Sequence, residues 1–216
     1  MSKIYLIAGL GADTRLYNNI DLQEHDVIPV DWIEPSKSDT LSTYAQKLIH
    51  QYSISPNSVV IGVSQGGMIS VEIAKLIPLK KVILISSIKT IDEAPWYFSL
   101  FRVLSIYKLI PGKLFTSLGF LIKPIFGDMN EGDLWLFNDM LKNSSPFLVK
   151  WSMEAILHWK NKTIPPSLYH INGDKDRVFS YKRIHNPTAI IKGGTHIMVF
   201  DKAKQINKLL KTILKK

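Results

Sequence analysis

The fold of this 216-residue chain is decided by the stretch Val59-Val60-Ile61-Gly62-Val63-Ser64-Gln65-Gly66-Gly67. A β-branched apolar run precedes the serine, and a segment with helical character follows it as far as Pro78. A G-x-S-x-G pattern between a strand and a helix forms a sharp turn that lifts the serine hydroxyl above the sheet. The alternative is a serine that only caps the helix, although a cap needs no flanking glycines. We therefore take Ser64 as a candidate nucleophile.

Five further apolar runs have the same character as the run before Ser64. They are short and apolar on both faces, as in strands of a parallel sheet covered by helices. Helical segments alternate with them at Thr40–Tyr52, capped by Asp39 or Thr40, and at Gln65–Ile77. The alternation predicts an α/β fold with a mostly parallel six-stranded sheet and helices on both faces. The predicted strands are Ile4–Ala8, Val27–Val30, Val59–Val63, Val82–Ile85, Leu168–Ile171 and Ala189–Ile191.

Residues 88–166 depart from this alternation. They contain no strand-like run, are rich in Trp, Phe and Leu, and are too long for a loop in a compact domain. We expect an inserted helical cap, or lid, here, with residues 1–87 and 167–216 forming the core. The aromatic residues of the cap favour either an apolar substrate pocket or ordinary core packing, and both remain open. These residues are Trp135, Phe137, Phe147, Trp151 and Trp159.

A serine hydroxyl becomes an effective nucleophile when a neighbouring base takes its proton and an acid orients that base. Of the six histidines, only His196 lies in a glycine-rich loop between the last strand and the last helix. Three acids are candidates: Asp174 and Asp176 follow the fifth strand, and Asp92 comes after the fourth. These loops meet at the edge where open α/β sheets form their active sites. The residues alone leave the choice of acid open.

The order Ser, Asp, His along the chain resembles that of α/β-hydrolase-fold serine hydrolases. The resemblance covers nearly all of the chain except the cap, and it implies a minimal core of six strands. In that family the acid lies two residues past the Asp of a Gly-Asp-x-Asp turn, a position that Asp176 occupies here. The base follows the last strand, as His196 does. The resemblance therefore implies the catalytic residues Ser64, Asp176 and His196.

The same resemblance extends to the loop after the first strand. Gly9-Leu10-Gly11 is similar to the family's His-Gly-x-Gly oxyanion loop, with Ala8 where the histidine is usual. Because an oxyanion hole is built from backbone N–H groups, this departure leaves the donors intact. The resemblance implies that these donors are the N–H groups of Leu10 and Gln65.

The resemblance implies that the protein is a serine hydrolase that cleaves a carboxylic ester or thioester. The expected substrate is a small molecule with a hydrophobic part, which passes through an acyl-enzyme on Ser64. Two alternatives stay open: a C–C hydrolase or lyase with the same three residues, and a non-catalytic binding protein that has the fold. Epoxide hydrolases and dehalogenases of the family use a carboxylate nucleophile, which argues against those activities here.

Composition excludes several other classes. The chain has no cysteine, which rules out disulfide-stapled domains, thiol nucleophiles and Cys-ligated zinc sites. It lacks a Walker loop, a complete dinucleotide fingerprint and zinc-spaced histidines, so we expect no cofactor and no metal.

The formal charge of +9 gives little information about partners. Residues 201–216 form an amphipathic helix with six lysines and one aspartate, and they account for +5 of that charge. No aromatic platform accompanies the lysines, so nucleic acid is not expected as a partner. The apolar, basic segment Phe120–Phe126 is the one candidate for contact with a membrane surface, which we do not expect. The short apolar run at the N-terminus predicts no signal peptide and a cytoplasmic protein.

Overall fold

The computed structural model describes residues 2–104, 126–127 and 129–215. Within these residues one sheet of six strands runs in the order β2-β1-β3-β4-β5-β6, and each neighbouring pair is parallel. The predicted α/β class and all six strands are thereby confirmed. The strands are β1 (Ile4–Ile7), β2 (Val27–Val30), β3 (Val59–Val63), β4 (Lys81–Ile85), β5 (Leu168–Gly173) and β6 (Ala189–Ile191).

Helices connect β2 to β3, β3 to β4 and β4 to β5, whereas the connections from β1 to β2 and from β5 to β6 contain only a short 3-10 turn. Thr40, not Asp39, caps the first helix: its hydroxyl accepts from the Thr43 N–H, and the Thr43 hydroxyl accepts from the Thr40 N–H. None of the helices in the described ranges combines the length and apolar character needed to cross a membrane. The helices are α1 (Leu41–Tyr52), α2 (Gln65–Leu76), α3 (Tyr97–Leu104), α4 (Glu131–Asn143), α5 (Pro146–Leu157), α6 (Met198–Asp201) and α7 (Ala203–Lys215).

Both faces of the sheet are covered, because successive side chains of a strand point to opposite faces. On one face, Val60 of β3 belongs to a buried cluster with Tyr44 of α1 and Met68 of α2. On the other, the next residue, Ile61, belongs to a cluster with Leu210 of α7. Each large apolar side chain buried in this way contributes about 1.5–3 kcal/mol. The predicted placement of helices on both faces is confirmed.

The helices between β4 and β5 contribute to both clusters. Phe98 of α3 and Trp151 of α5 are buried in the cluster that contains α1 and α2. Phe137 and Met140 of α4 are buried in the other. The described part of the segment 88–166 therefore packs directly on the core. Its separation as a cap domain stays a prediction, and residues 105–125, which include most of the Phe120–Phe126 segment, lie outside the described residues.

Candidate active site

The turn between β3 and α2 holds Ser64 in a strained conformation. Its φ of 53° and ψ of −119° are rarely adopted by a residue with a side chain and cost about 1–3 kcal/mol. The turn is tight: a Cβ at Gly62 would lie 2.3 Å from the Gly66 carbonyl, and one at Gly66 would lie 2.1 Å from the Ile7 carbonyl oxygen. The Ser64 hydroxyl makes no capping hydrogen bond to α2. The helix-cap alternative therefore does not describe this serine.

The close approach at Gly66 predicts a large stability effect. Gly66→Ala should lower the free energy of unfolding by about 3 kcal/mol, because the new methyl group collides with the backbone of β1. Gly132→Ala is the matched control, since a Cβ there meets only the Asn130 side chain at 3.4 Å. In helix α4 that change should stabilise by about 0.5–1 kcal/mol. Urea denaturation of both variants checks the contrast, and equal effects would contradict it.

Ser64, His196 and Asp176 form one hydrogen-bonded series. The distance from Ser64 Oγ to His196 Nε2 is 3.0 Å, and His196 Nδ1 lies 3.0 and 3.1 Å from the two carboxylate oxygens of Asp176. A carboxylate only accepts, so Nδ1 carries a proton and Nε2 is left to accept from the serine hydroxyl. His196 and Asp176 are buried, whereas Ser64 is partly exposed. A substrate can reach the hydroxyl, and water has little access to the other two groups.

Of the three acids that the sequence leaves open, the structure brings only Asp176 to His196. Asp174 Oδ1 accepts from the Gly193 N–H over 2.6 Å and so braces the histidine loop from beside the site. Asp92 is exposed, and its carbonyl oxygen accepts from the Arg183 guanidinium. Of the three, Asp176 is therefore the acid in contact with the histidine.

Aromatic side chains fix the histidine ring. Phe126 and Phe179 meet the imidazole edge-on, with ring centroids 5.0 and 5.5 Å from it. The carboxylate is fixed too, because the N–H groups of Val178 and Phe179 donate to Asp176 Oδ1 at 2.8 Å. Tyr97 of α3 donates its hydroxyl to the Val178 carbonyl over 2.8 Å. Burial, and secondarily the charge of Asp176, raises the pKa of Tyr97 to about 12, so this donor stays protonated.

The loop after β1 lies beside Ser64, as predicted. A Cβ at Gly9 would be 3.1 Å from Ser64 Cβ and 3.8 Å from its Oγ. Within the described part of the chain, the N–H groups of Leu10 and Gln65 donate to no other residue. These two predicted oxyanion donors are therefore available for a ligand. No group of three potential metal ligands gathers anywhere among the described residues.

A small apolar cavity of about 30 Å³ adjoins Ser64. Of the five aromatic residues named in the cap, Phe137 is the one that lines this cavity. Trp151 and Trp159 are buried. The Trp151 indole donates to the Asp39 carbonyl, and the Trp159 indole donates to Glu72. Trp135 is 67% exposed. The pocket prediction therefore applies to Phe137, and core packing describes the two buried tryptophans. The cavity is lined by Gly9, Leu10, Ala12, Leu16, Val63, Ser64, Phe126, Phe137, His196 and Ile197.

A buried polar cluster next to the site was missed from the sequence. Lys89 Nζ contacts Glu93 at 2.5 Å, the His185 carbonyl oxygen at 2.5 Å and His170 Nδ1 at 3.4 Å. His170 Nε2 in turn donates to the Ser87 carbonyl over 2.9 Å. His170 lies inside a predicted strand, and Lys89 and Glu93 follow β4 without forming a recognisable motif. The pair Ser86-Ser87 at the carboxyl end of β4 was the one feature of the sequence that pointed to polar groups here. We call Lys89, Glu93 and His170 the buried cluster.

The buried cluster predicts a loss of stability in acid. Burial lowers the pKa of His170 from 6.5 to about 4. Between these values the unfolded chain binds a proton that the folded chain excludes, so stability falls as pH drops from 6.5 towards 4. The free energy of unfolding should decrease by about 2–3 kcal/mol over that window. Urea denaturation of the wild type and His170→Asn at pH 7 and 4.5 checks this, and equal pH dependence of the two would exclude it.

Comparisons with known proteins support the fold. No family model matches the sequence, and no curated protein does. An esterase from Thermogutta terrifontis superposes with a TM-score of 0.79 at 14% identity, over 100% of this chain and 90% of that one. An esterase from Exiguobacterium antarcticum gives 0.75 at 18%, and a bromoperoxidase from Bacillus anthracis gives 0.74 at 20%; each match covers 100% of this chain and 92% of the other. The chain thus has the α/β-hydrolase fold.

Proposed function

We propose that this protein is a serine hydrolase that cleaves a carboxylic ester or thioester through an acyl-enzyme on Ser64. The observation that carries the proposal is the unbroken series from Ser64 Oγ through His196 to Asp176, on three loops that follow parallel strands. The strain at Ser64 adds support, because such outliers concentrate at functional sites. The solved esterases with this fold make hydrolysis the reaction to test first.

The proposed reaction has two halves. Ser64 Oγ attacks the substrate carbonyl carbon while His196 Nε2 takes the hydroxyl proton, and Asp176 stabilises the resulting imidazolium. The negative charge on the former carbonyl oxygen is held by the N–H groups of Leu10 and Gln65. His196 then protonates the leaving alcohol or thiol. In the second half, water repeats the attack on the acyl-enzyme, its proton again passes to His196, and the carboxylic acid is released.

The cavity beside Ser64 supports a substrate with a small hydrophobic group next to the scissile bond. Its lining is apolar except for Ser64 and His196 themselves. Phe137, from the segment between β4 and β5, lines one part of the cavity, and Leu16, from the segment between β1 and β2, lines another. An apolar group placed there gains about 25 cal/mol for each Å² removed from water, and an ionic group would lose its hydration without a partner.

Product analysis tests the proposed reaction. Purified protein is incubated with p-nitrophenyl acetate and with an acetyl thioester, and acetate is quantified beside the released phenol or thiol. Equal amounts of acid and alcohol or thiol are expected from at least one substrate class. Turnover of neither class above the rate with heat-unfolded protein would count against the proposal and would favour the C–C hydrolase, lyase or non-catalytic alternatives.

A further inference from the structure

The carbonyl oxygen of Ser64 is held from two directions. The N–H groups of Gly67 and Met68 donate to it from the first turn of α2, at 3.0 and 3.3 Å. From the neighbouring loop after β4, Ser87 Oγ donates to the same oxygen over 2.6 Å. Ser87 is fully buried. The strained residue is thus held by a side-chain hydroxyl from the loop that follows the neighbouring strand β4.

The position of Ser87 is itself fixed. A Cβ at Gly67 would lie 2.4 Å from Ser87 Oγ, so the glycine at position 67 is what permits the approach. The Ser87 carbonyl oxygen accepts from His170 Nε2, which connects it to the buried cluster. Lys89 and Glu93 are 4% and 1% exposed, so this support is shielded from solvent. Ser87 Oγ also lies 3.5 Å from the Ile88 carbonyl oxygen, but the Ser64 carbonyl oxygen at 2.6 Å is by far the closer acceptor.

A peptide unit is planar, so the Ser64 carbonyl and the Gln65 N–H move as one rigid group. Rotation of that plane would carry the Gln65 N–H away from the place where a substrate oxyanion forms. Holding the carbonyl oxygen therefore also aims the N–H. The Ser87 hydroxyl adds a third donor to this carbonyl oxygen, from outside the helix and at the shortest of the three distances.

We propose that Ser87 is a positioning residue that aims the Gln65 N–H at the oxyanion. This inference rests on the proposed function, since it assigns Ser87 a role in the same reaction. Because oxyanion donors act on the transition state more than on the bound substrate, the loss of Ser87 should lower kcat and leave KM nearly unchanged. Neither His196 nor Asp176 is altered, so the pH profile should keep its shape.

Ser70 supplies a matched control. Its hydroxyl is equally buried, lies on α2 and donates over 2.7 Å to the Gly66 carbonyl, so it makes no direct contact with the peptide that carries the Gln65 N–H. Ser87→Ala and Ser70→Ala each delete one buried hydroxyl-to-carbonyl hydrogen bond, so a purely structural role predicts similar losses in Tm and in kcat. Our expectation is similar losses in Tm, with kcat reduced about tenfold only in Ser87→Ala.

The experiment measures kcat and KM for p-nitrophenyl acetate, and the rate of labelling by a fluorophosphonate, in wild type, Ser87→Ala, Ser87→Cys and Ser70→Ala. Ser87→Cys replaces the hydroxyl with a larger thiol that is a weak donor, so it should also be slow. It provides a second variant in case the alanine variant does not fold. Wild-type rates in a folded Ser87 variant would overturn the inference and leave the proposed function standing. A wild type that neither labels nor turns over ester would overturn both.

Discussion

Ser64→Ala should abolish ester hydrolysis, with a decrease in kcat of about 10⁴-fold or more. The variant removes the oxygen that forms the acyl-enzyme and leaves the Leu10 and Gln65 N–H groups in place, so only weak residual catalysis by water is expected. The fold should persist, because the Ser64 hydroxyl makes its hydrogen bond to His196 and none to the helix. Steady-state hydrolysis of p-nitrophenyl acetate, with circular dichroism to verify folding, checks the expectation.

The informative comparison is again with Ser70, a buried serine of the helix that follows Ser64, whose hydroxyl donates to the Gly66 carbonyl. Ser70→Ala should retain wild-type kcat within about twofold. If folded Ser64→Ala kept more than about a tenth of the wild-type activity, Ser64 would not be the nucleophile of this reaction.

Asp176→Asn is expected to reduce kcat by about 10³–10⁴-fold. The amide keeps an oxygen that can accept from the Val178 and Phe179 N–H groups, so the loop should hold its shape. It removes the negative charge beside His196 Nδ1, however, and with it the stabilisation of the imidazolium that forms in each half of the reaction. It also permits the wrong tautomer, because an amide NH₂ donates where a carboxylate only accepts.

Asp174→Asn is the matched control, two residues away and of the same chemistry. Its remaining oxygen can still accept from the Gly193 N–H, so kcat should stay within about twofold of wild type. Measuring kcat for both variants at one pH separates the two acids. A larger loss in Asp174→Asn than in Asp176→Asn would show that the acid was misassigned.

The sequence predicts the sheet well because a strand buried on both faces must be apolar almost throughout. Errors occur where that rule fails. Lys81 opens β4 although it is charged, since its stem is buried and its ammonium donates to the Ile213 carbonyl at the end of α7. Asn172 and Gly173 are residue types that favour turns, yet they belong to β5, and the Asn172 amide donates to the Phe179 carbonyl.

Ser64 and His196 can be found from the sequence because each follows a strand in a glycine-rich loop of recognisable pattern, whereas Asp176 is singled out among three acids only by the family resemblance. The groups that hold these site residues in position cannot be found from the sequence. Phe126 and Phe179 reach His196 from distant parts of the chain, and nothing in their neighbours marks the contact. Ser87 and His170 are joined through a backbone carbonyl, a hydrogen bond that any residue type at position 87 could accept. Such contacts follow from tertiary packing alone.

The most direct test of the account is the identity of the atom that becomes covalently modified. Folded protein is treated with a fluorophosphonate, digested and analysed by peptide mass spectrometry. We expect one phosphonyl adduct per chain, on Ser64. It should be absent from Ser64→Ala and form much more slowly in His196→Ala, because the base is missing. A folded wild-type protein that carries no adduct on Ser64, or carries it on another serine, would contradict the assignment of Ser64 as the nucleophile.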